Sequence, residues 1–243
     1  MSALEVFKYS PINKNLIDSL VKGYIYCADV KKLNDPLDCR VDLAAAIRRA
    51  ISKSEGKAKE NLQRLLASSE FLESTVKKVS EVGVCSFSLK LLKPMMWSHY
   101  ADEHKGICLL YRFPESFINY DQNKIIGTST LIYGDNVFTD SLLEAAEGLS
   151  EIEAWEIFQA IVVPILTAKG QDWSVEDESR IIREYSGPLE IDRKYLTQIC
   201  FGFATPERDK ELIRNILERC AYDVTFCEIR RSNADFSFEA VDL

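Results

Sequence analysis

The stretch Met96–Gly106 has the sequence M-W-S-H-Y-A-D-E-H-K-G and contains both histidines of the 243-residue chain. Pro94 suits the first turn of a helix, because its missing N–H would have no helical partner there. Gly106 suits the residue just past a helix end, where the backbone turns left-handed. The sequence therefore predicts one short helix between Pro94 and Gly106, with strands at 82–88 and 106–113 on either side.

The two histidines are five residues apart, which is roughly 140° around a helix, so they do not share a face. That spacing argues against a two-histidine metal site, which needs an i, i+4 pair on a helix. His104 and Lys105 suit the last turn, where cations meet unsatisfied carbonyl groups. His99 has two interpretations: a packed, hydrogen-bonded histidine, or a group that titrates near neutral pH at a chemical centre.

Further elements follow from apolar periodicity and from turn residues. Residues 40–81 are rich in Ala, Leu, Lys and Glu and predict two or three helices, broken near Ser54–Gly56. A helix over 150–168 is predicted to open with a capping box of Ser150 and Glu153. Other predicted helices are 13–22, 141–148 and 207–220, and other predicted strands are 5–9, 24–28, 124–133, 178–185, 195–203, 224–230 and 236–241.

These elements alternate irregularly, and several neighbouring strands lack a connection long enough for a parallel crossover. The sequence therefore predicts a single α+β domain over residues 1–243. Its sheet is expected to be mixed or mostly antiparallel, with a helical insertion at about residues 40–81.

Composition bounds the environment and the partners. Apolar residues make up 47% of the chain, but no run approaches 18 consecutive apolar residues, so no membrane span is predicted. There is no signal-peptide pattern, and the seven cysteines form no Cys-x-x-Cys pair, which favours reduced thiols in a cytoplasmic protein. The net charge of −8 argues against general nucleic-acid binding, which needs clustered cations.

Two polar clusters are candidates for chemistry. Glu176, Glu178 and Arg180 are spaced by two and would share one face of a strand that included all three. The alternative is an arginine held by flanking carboxylates on a sheet surface. Asn34, Asp35 and Asp38 could ligate a metal through oxygen atoms, although a turn stabilised by its own side chains is favoured.

Four blocks of the sequence resemble a bacterial family known only as a domain of unknown function. The blocks are Phe7–Tyr9, Asn34–Asp38, Met96–Cys108, and the set Lys169, Trp173, Glu176, Glu178 and Arg180. The order of predicted elements is also loosely similar to that of ADP-ribosyltransferase-like domains, which cleave the nicotinamide–ribose bond of NAD: an early strand with polar ends, a helix, an aromatic strand and, much later, a Glu-x-Glu strand.

The second resemblance implies an enzyme that processes NAD, in a bacterial defence or toxin-like setting. Its acceptor, a small molecule or a macromolecule, stays open. Glu178 would be the catalytic carboxylate, Glu176 would orient the acceptor, and His99 would help shape the pocket. NAD is then the expected substrate, no metal is predicted, and the expected contacts to NAD are Lys8, Tyr9, Asn34, Asp35, Tyr100 and Arg180.

Two alternatives come from other classes of protein. One is a metal-dependent hydrolase of nucleic acid, although the acidic charge and the lack of a known ligand spacing argue against it; its ligands would be Asp35, Asp38, Glu176, Asp177, Glu178 and His99. The other is a non-enzymatic sensor or interaction module that binds a protein partner. In that module the helix around His99 would be a structural keystone, meaning that the stability of the fold depends on it. His99→Ala would then lower the melting temperature severely.

Overall fold

A computed structural model describes residues 3–149 and 154–243. Within these residues the α-helices are α1 (Lys14–Lys22), α2 (Leu43–Lys53), α3 (Gly56–Ala67), α4 (Ser69–Glu81), α5 (Pro94–Tyr100), α6 (Glu115–Ile118), α7 (Val137–Ala146), α8 (Ala154–Thr167) and α9 (Glu207–Arg219). The strands are β1 (Leu4–Ser10), β2 (Tyr24–Asp29), β3 (Gly83–Ser88), β4 (Ile107–Phe113), β5 (Ile125–Thr130), β6 (Ile132–Tyr133), β7 (Ala168–Lys169), β8 (Glu178–Arg183), β9 (Gly187–Glu190), β10 (Leu196–Phe201), β11 (Thr225–Arg231) and β12 (Phe238–Asp242).

Ten of these strands form one mixed, mostly antiparallel sheet. Eight follow in the order β12-β11-β10-β4-β1-β3-β2-β9, while β8 pairs with both β3 and β5. The pair β10–β11 is parallel, and β6 and β7 form a separate two-stranded sheet. The predicted α+β class with a single domain and a mostly antiparallel sheet is confirmed, and the last two strands, β11 and β12, form an antiparallel pair.

A break in the sheet lies between β1 and β3. Along its whole length β1 pairs with β4, but it pairs with β3 only at Phe7 and Ser88. The other end of the same edge of β3 pairs with β2, at Ala28 and Asp29. Because β1 and β2 therefore diverge from one edge of β3, the backbone of Cys85–Phe87 faces a gap between them.

In the described residues three apolar cores hold helices against the sheet, and the smallest packs α5 through Trp97. One core joins the sheet to α1 and α9, through residues such as Leu20 and Ile213. Another joins α2, α3 and α4 to α7 and α8, with Ile47, Leu62 and Leu142 fully buried. The predicted helices within 40–81 are confirmed as three. In residues 3–149 and 154–243, no helix combines the length and the apolar character that crossing a membrane would need.

The predicted helix from Pro94 to Gly106 is wrong in its second half. Helix α5 ends at Tyr100, and residues 102–104 then have positive φ angles of 47°, 52° and 69°. This turn is held from outside, because the Ala204 N–H donates to the His104 carbonyl at 3.2 Å. Gly106 is needed for close approach instead of a left-handed turn, since a Cβ there would lie 2.3 Å from the Ser10 carbonyl oxygen.

One observed strand was not predicted, and one predicted helix cap falls on residues that are not described. The short strand β9, which pairs with β2, was not predicted, because Gly187 and Pro188 in it resemble a turn. The predicted capping box of Ser150 and Glu153 lies outside the described residues. All seven cysteines are free, and all except Cys220 are buried.

Candidate functional site

A small pocket, which we call the Glu176 pocket, lies at the break between β1 and β3. Side chains from β1, β3, α5, the loop after β2 and the segment before β8 line it, and its volume is about 140 Å³. Ligand sites are typically roughly 300–1,000 Å³, so this pocket has room for a single ring and not for a dinucleotide. Its walls are partly aromatic and aliphatic (Phe7, Phe87, Met96) and partly polar (Lys8, Asn34, Tyr100, Lys169, Glu176).

One wall of the pocket is a buried group of five ionisable side chains, which we call the charge cluster: Asp38, Lys169, Glu176, Glu178 and Arg180. The Lys169 Nζ atom lies 2.6 Å from Glu176 Oε2, 2.9 Å from Glu178 Oε2 and 3.5 Å from Asp38 Oδ2. Arg180 donates to Glu178 from Nε at 2.6 Å and to Asp38 from both terminal nitrogens, at 3.0 and 2.5 Å. With every group ionised, the cluster has three negative charges against two positive charges.

The local backbone explains how both glutamates reach one lysine. A 3₁₀ helix covers Gln171–Glu176, Asp177 then has a left-handed φ of 43°, and β8 begins at Glu178. Glu176 therefore lies just before β8 and not on it. The shared face predicted for Glu176, Glu178 and Arg180 required all three to be on one strand, so Glu176 is not part of it. Glu178 and Arg180 do share a face of β8, as residues two apart on a strand must.

The two glutamates have opposite electrostatic environments. Burial raises the pKa of Glu178, but Arg180 and Lys169 outweigh it and bring that pKa down to about 2. Burial also raises the pKa of Glu176, and here the hydrogen bonds from Lys169 and Tyr100 do not fully offset it. Glu178 is thus ionised at neutral pH, whereas the environment of Glu176 disfavours its ionised form.

Glu176 is also the carboxylate that is connected to polar side chains of the pocket wall. The Tyr100 hydroxyl donates to Glu176 Oε1, and it accepts a hydrogen bond from Asn34 Nδ2 at 3.0 Å. Burial and the Glu176 carboxylate raise the pKa of Tyr100, so its hydroxyl stays protonated and acts as a donor. A chain of three side chains thus runs from the loop after β2 to the charge cluster.

Most of the expected site residues come together at this pocket. Lys8, Tyr9, Asn34, Tyr100, Glu176 and Glu178 line it, and Arg180 lies behind it in the charge cluster. Tyr9 has a structural role, since its hydroxyl lies within hydrogen-bond distance of two carbonyl oxygens, those of Lys90 and Leu91, at 2.7 Å each. Lys8 donates to the Ser86 carbonyl at 3.0 Å, across the break in the sheet.

Two expected site residues do not belong to the pocket. His99 is exposed, because α5 turns Met96, Trp97 and Tyr100 inward and so directs His99 to the surface. Asp35 does not line the pocket either, because its carboxylate accepts the Leu37 N–H at 2.9 Å in a local turn. The structure therefore does not bring His99 and Asp35 together with the other expected site residues, and their roles at an NAD site stay predictions.

Asp38 and Lys169 belong to the charge cluster, although neither was expected at the NAD site. Lys169 is 6% exposed and Asp38 is 4% exposed, and a lysine is seldom buried so deeply unless it is paired. Asp38 lies far along the chain from Lys169 and Arg180, so no spacing could have indicated its contacts. The position of Lys169 in the motif with Trp173 was the one available signal, and its ammonium does lie 5.0 Å from that ring.

The metal-site hypothesis finds little support in this geometry. Asp38, Glu176 and Glu178 are bound by Lys169 or Arg180, and Asp177 pairs with Lys93 at 3.0 Å. Among residues 3–149 and 154–243, no three His, Cys, Asp or Glu side chains are grouped so that they could hold a metal ion.

Comparison with known proteins gives one match. Residues 96–181 match the model of a family described as "Protein of unknown function (DUF2971)". The match covers about a third of the chain and includes α5, Tyr100, Lys169 and both glutamates of the charge cluster. Searches of curated proteins and of solved structures gave no match.

Proposed function

We propose that this protein is an NAD-processing enzyme of the ADP-ribosyltransferase-like type, which breaks the bond between nicotinamide and ribose. The observation that carries the proposal is the distribution of charge around the Glu176 pocket. Asp38, Lys169, Glu176 and Glu178 form a wall of excess negative charge, while Lys8 places a cation at the break in the sheet.

That distribution complements the nicotinamide end of NAD, in which a cationic planar ring is joined through ribose to a phosphate. The aromatic side chains of Phe7 and Phe87 offer a surface for the ring, and the volume of about 140 Å³ suits one ring. Lys8 can supply a point charge for the phosphate. In the described residues its Nζ atom has no carboxylate within ion-pair distance, so this charge is available.

The proposed chemistry assigns the catalytic role to Glu176 instead of Glu178. Glu178 is held by two cations, Arg180 and Lys169, whereas Glu176 is held by one cation, Lys169, and by the Tyr100 hydroxyl. Glu176 reaches the pocket wall with Tyr100, where its carboxylate can stabilise positive charge. A cationic ring beside Glu176 would also favour its ionised form, offsetting the effect of burial on its pKa.

In this reaction the C1′–N bond breaks, and its electron pair leaves with nicotinamide as a neutral molecule. The positive charge that remains on the ribose faces Glu176. A water molecule or an acceptor nucleophile then forms the new bond to C1′, and its proton passes to the Glu176 carboxylate or to solvent. Tyr100 is proposed to orient Glu176 through its hydrogen bond.

The experiment is to incubate the purified protein with NAD labelled in the nicotinamide ring and to measure nicotinamide release, with and without candidate acceptors. Glu176→Gln should reduce release at least about 100-fold, as expected for loss of a group that stabilises transition-state charge. Glu184→Gln is the matched control, because Glu184 is an exposed glutamate at the far end of β8. The proposal is wrong if the protein releases no nicotinamide, or if Glu176→Gln releases it at the full rate.

A further inference from the structure

A second cavity lies on the other side of the break in the sheet, in the space where β1 and β2 diverge under α1. We call it the α1 groove, and its volume is about 630 Å³. Its polar lining consists of Lys8, Ser10, Asn15, Ser19, Tyr24 and Tyr26. Among the lining residues in the described part of the chain, Lys8 is the one charged side chain. The groove is thus neutral apart from a single cation, and it is rich in hydrogen-bonding groups.

Lys8 belongs to both cavities, because it lines the α1 groove and also the Glu176 pocket. Its Nζ atom donates to the Ser86 carbonyl and lies 5.1 Å from the centre of the Phe87 ring, so the ammonium spans the break between β1 and β3. A ligand that extended from one cavity to the other would therefore pass this ammonium.

Two tyrosines form an aromatic side of the groove. Tyr24 and Tyr26 are two apart on β2 and so share a face of the strand. The Tyr24 hydroxyl donates to Asp18 at 2.8 Å, which fixes that ring. Tyr26 is 49% exposed, so its ring is accessible from solvent. Aromatic rings of this kind are common stacking partners for bases.

The Glu176 pocket alone is too small for a whole dinucleotide, whereas the α1 groove has the volume that the rest of the molecule would need. We infer that the α1 groove binds the second nucleotide of the dinucleotide, with its base against Tyr26 and the pyrophosphate beside Lys8. This inference rests on the proposed function for the identity of the ligand. The Glu176 pocket alone does not distinguish a dinucleotide from nicotinamide mononucleotide. The α1 groove would make that distinction, because it would bind the second nucleotide.

The test is direct binding of adenosine monophosphate to the full chain, measured by titration calorimetry. The protein should bind it, Tyr26→Ala should weaken binding at least about fivefold through loss of stacking, and Lys8→Gln should weaken it similarly. Tyr120→Ala is the matched control, because Tyr120 is 51% exposed and lies outside both cavities. Tyr26→Phe keeps the ring and should bind with nearly unchanged affinity.

The outcomes separate the two proposals. Absence of binding, or equal binding by the protein, Tyr26→Ala and Lys8→Gln, overturns the inference about the groove, even if nicotinamide is released from NAD. Binding that depends on Tyr26 and Lys8, without nicotinamide release, supports the groove as a nucleotide site and overturns the proposed reaction. Should Tyr26→Ala fail to fold, Lys8→Gln and Tyr26→Phe still decide the question.

Discussion

Replacing Arg180 with methionine should destabilise the protein more than any surface substitution, because Arg180 is fully buried among carboxylates. Its guanidinium makes two hydrogen bonds to Glu178, two to Asp38 and one to the Leu166 carbonyl, at 2.5 to 3.1 Å. Methionine has a similar length but no charge. The change therefore leaves two buried carboxylates with Lys169 as their remaining cation.

Removing one partner of a buried ion pair typically costs about 3–5 kcal/mol. For a chain of this size, each kcal/mol lowers the melting temperature by roughly 2–4 °C, so Arg180→Met should melt about 10–15 °C lower. The matched control is Arg112→Met, since Arg112 pairs with Glu5 at 2.7 Å but both side chains are about half exposed. Such a pair contributes roughly 0–1 kcal/mol, so the control should melt within about 3 °C of the unchanged protein.

The difference in melting temperature between the protein and Arg180→Met should also depend on pH, in a direction that the pKa of Glu178 decides. With Arg180 present, the pKa of Glu178 in the folded protein is about 2, below the unfolded value of about 4.3. A lowered carboxylate pKa stabilises the fold above the unfolded value, and that contribution, about 3 kcal/mol, is lost as the pH falls from about 5 to about 2. In Arg180→Met the pKa of Glu178 should rise, so the difference in melting temperature between the two proteins should shrink as the pH falls from 7 to about 3.

Thermal melts by circular dichroism at pH 7, 5, 4 and 3 measure both effects. If Arg180→Met lowers the melting temperature no more than Arg112→Met does, the reasoning is refuted, because the buried carboxylates would not need the guanidinium. A large loss that stayed constant with pH would also refute it. That result would assign the effect to packing and not to unpaired charge.

Three further substitutions have expected results that the same melting experiments can check. Glu176→Gln should change stability by less than about 1 kcal/mol at pH 7, because burial raises the pKa of Glu176, so the fold does not favour its ionised form over a neutral side chain; a loss above about 3 kcal/mol would mean that its charge is structural. His99→Ala should leave both melting and nicotinamide release nearly unchanged, since His99 is exposed; a severe loss of stability would favour the structural-keystone alternative. Gly202→Ala should lower the melting temperature by several degrees, because a Cβ there would lie 2.0 Å from the His104 carbonyl oxygen, whereas Gly127→Ala meets nothing within 4 Å and serves as its control.

Much of the architecture could be predicted because it depends on local patterns. The short apolar and aromatic run of β1 and the abundance of Ala, Leu, Lys and Glu in 40–81 are properties of neighbouring residues. The end of α5 could not be predicted in the same way. Three consecutive non-glycine residues have positive φ there, and a hydrogen bond from Ala204, about a hundred residues away, helps to hold them.

The candidate site likewise has features that local spacing could predict and features that it could not. The spacing of Glu178 and Arg180 predicted a shared face, since strand geometry alone decides it. The spacing could not show that Arg180 binds Asp38, 142 positions away, or that Lys169 joins the two glutamates. Glu178 is held by two cations and Glu176 by one, which is why the proposed catalytic role is assigned to Glu176.

The most direct test of the central claim is a side-by-side chromatographic measurement of nicotinamide released from NAD by the protein and by Glu176→Gln, both verified as folded. The account predicts release that grows with protein concentration and a rate at least about 100-fold lower for Glu176→Gln. Equal rates for the two proteins, or no release by either, would contradict it.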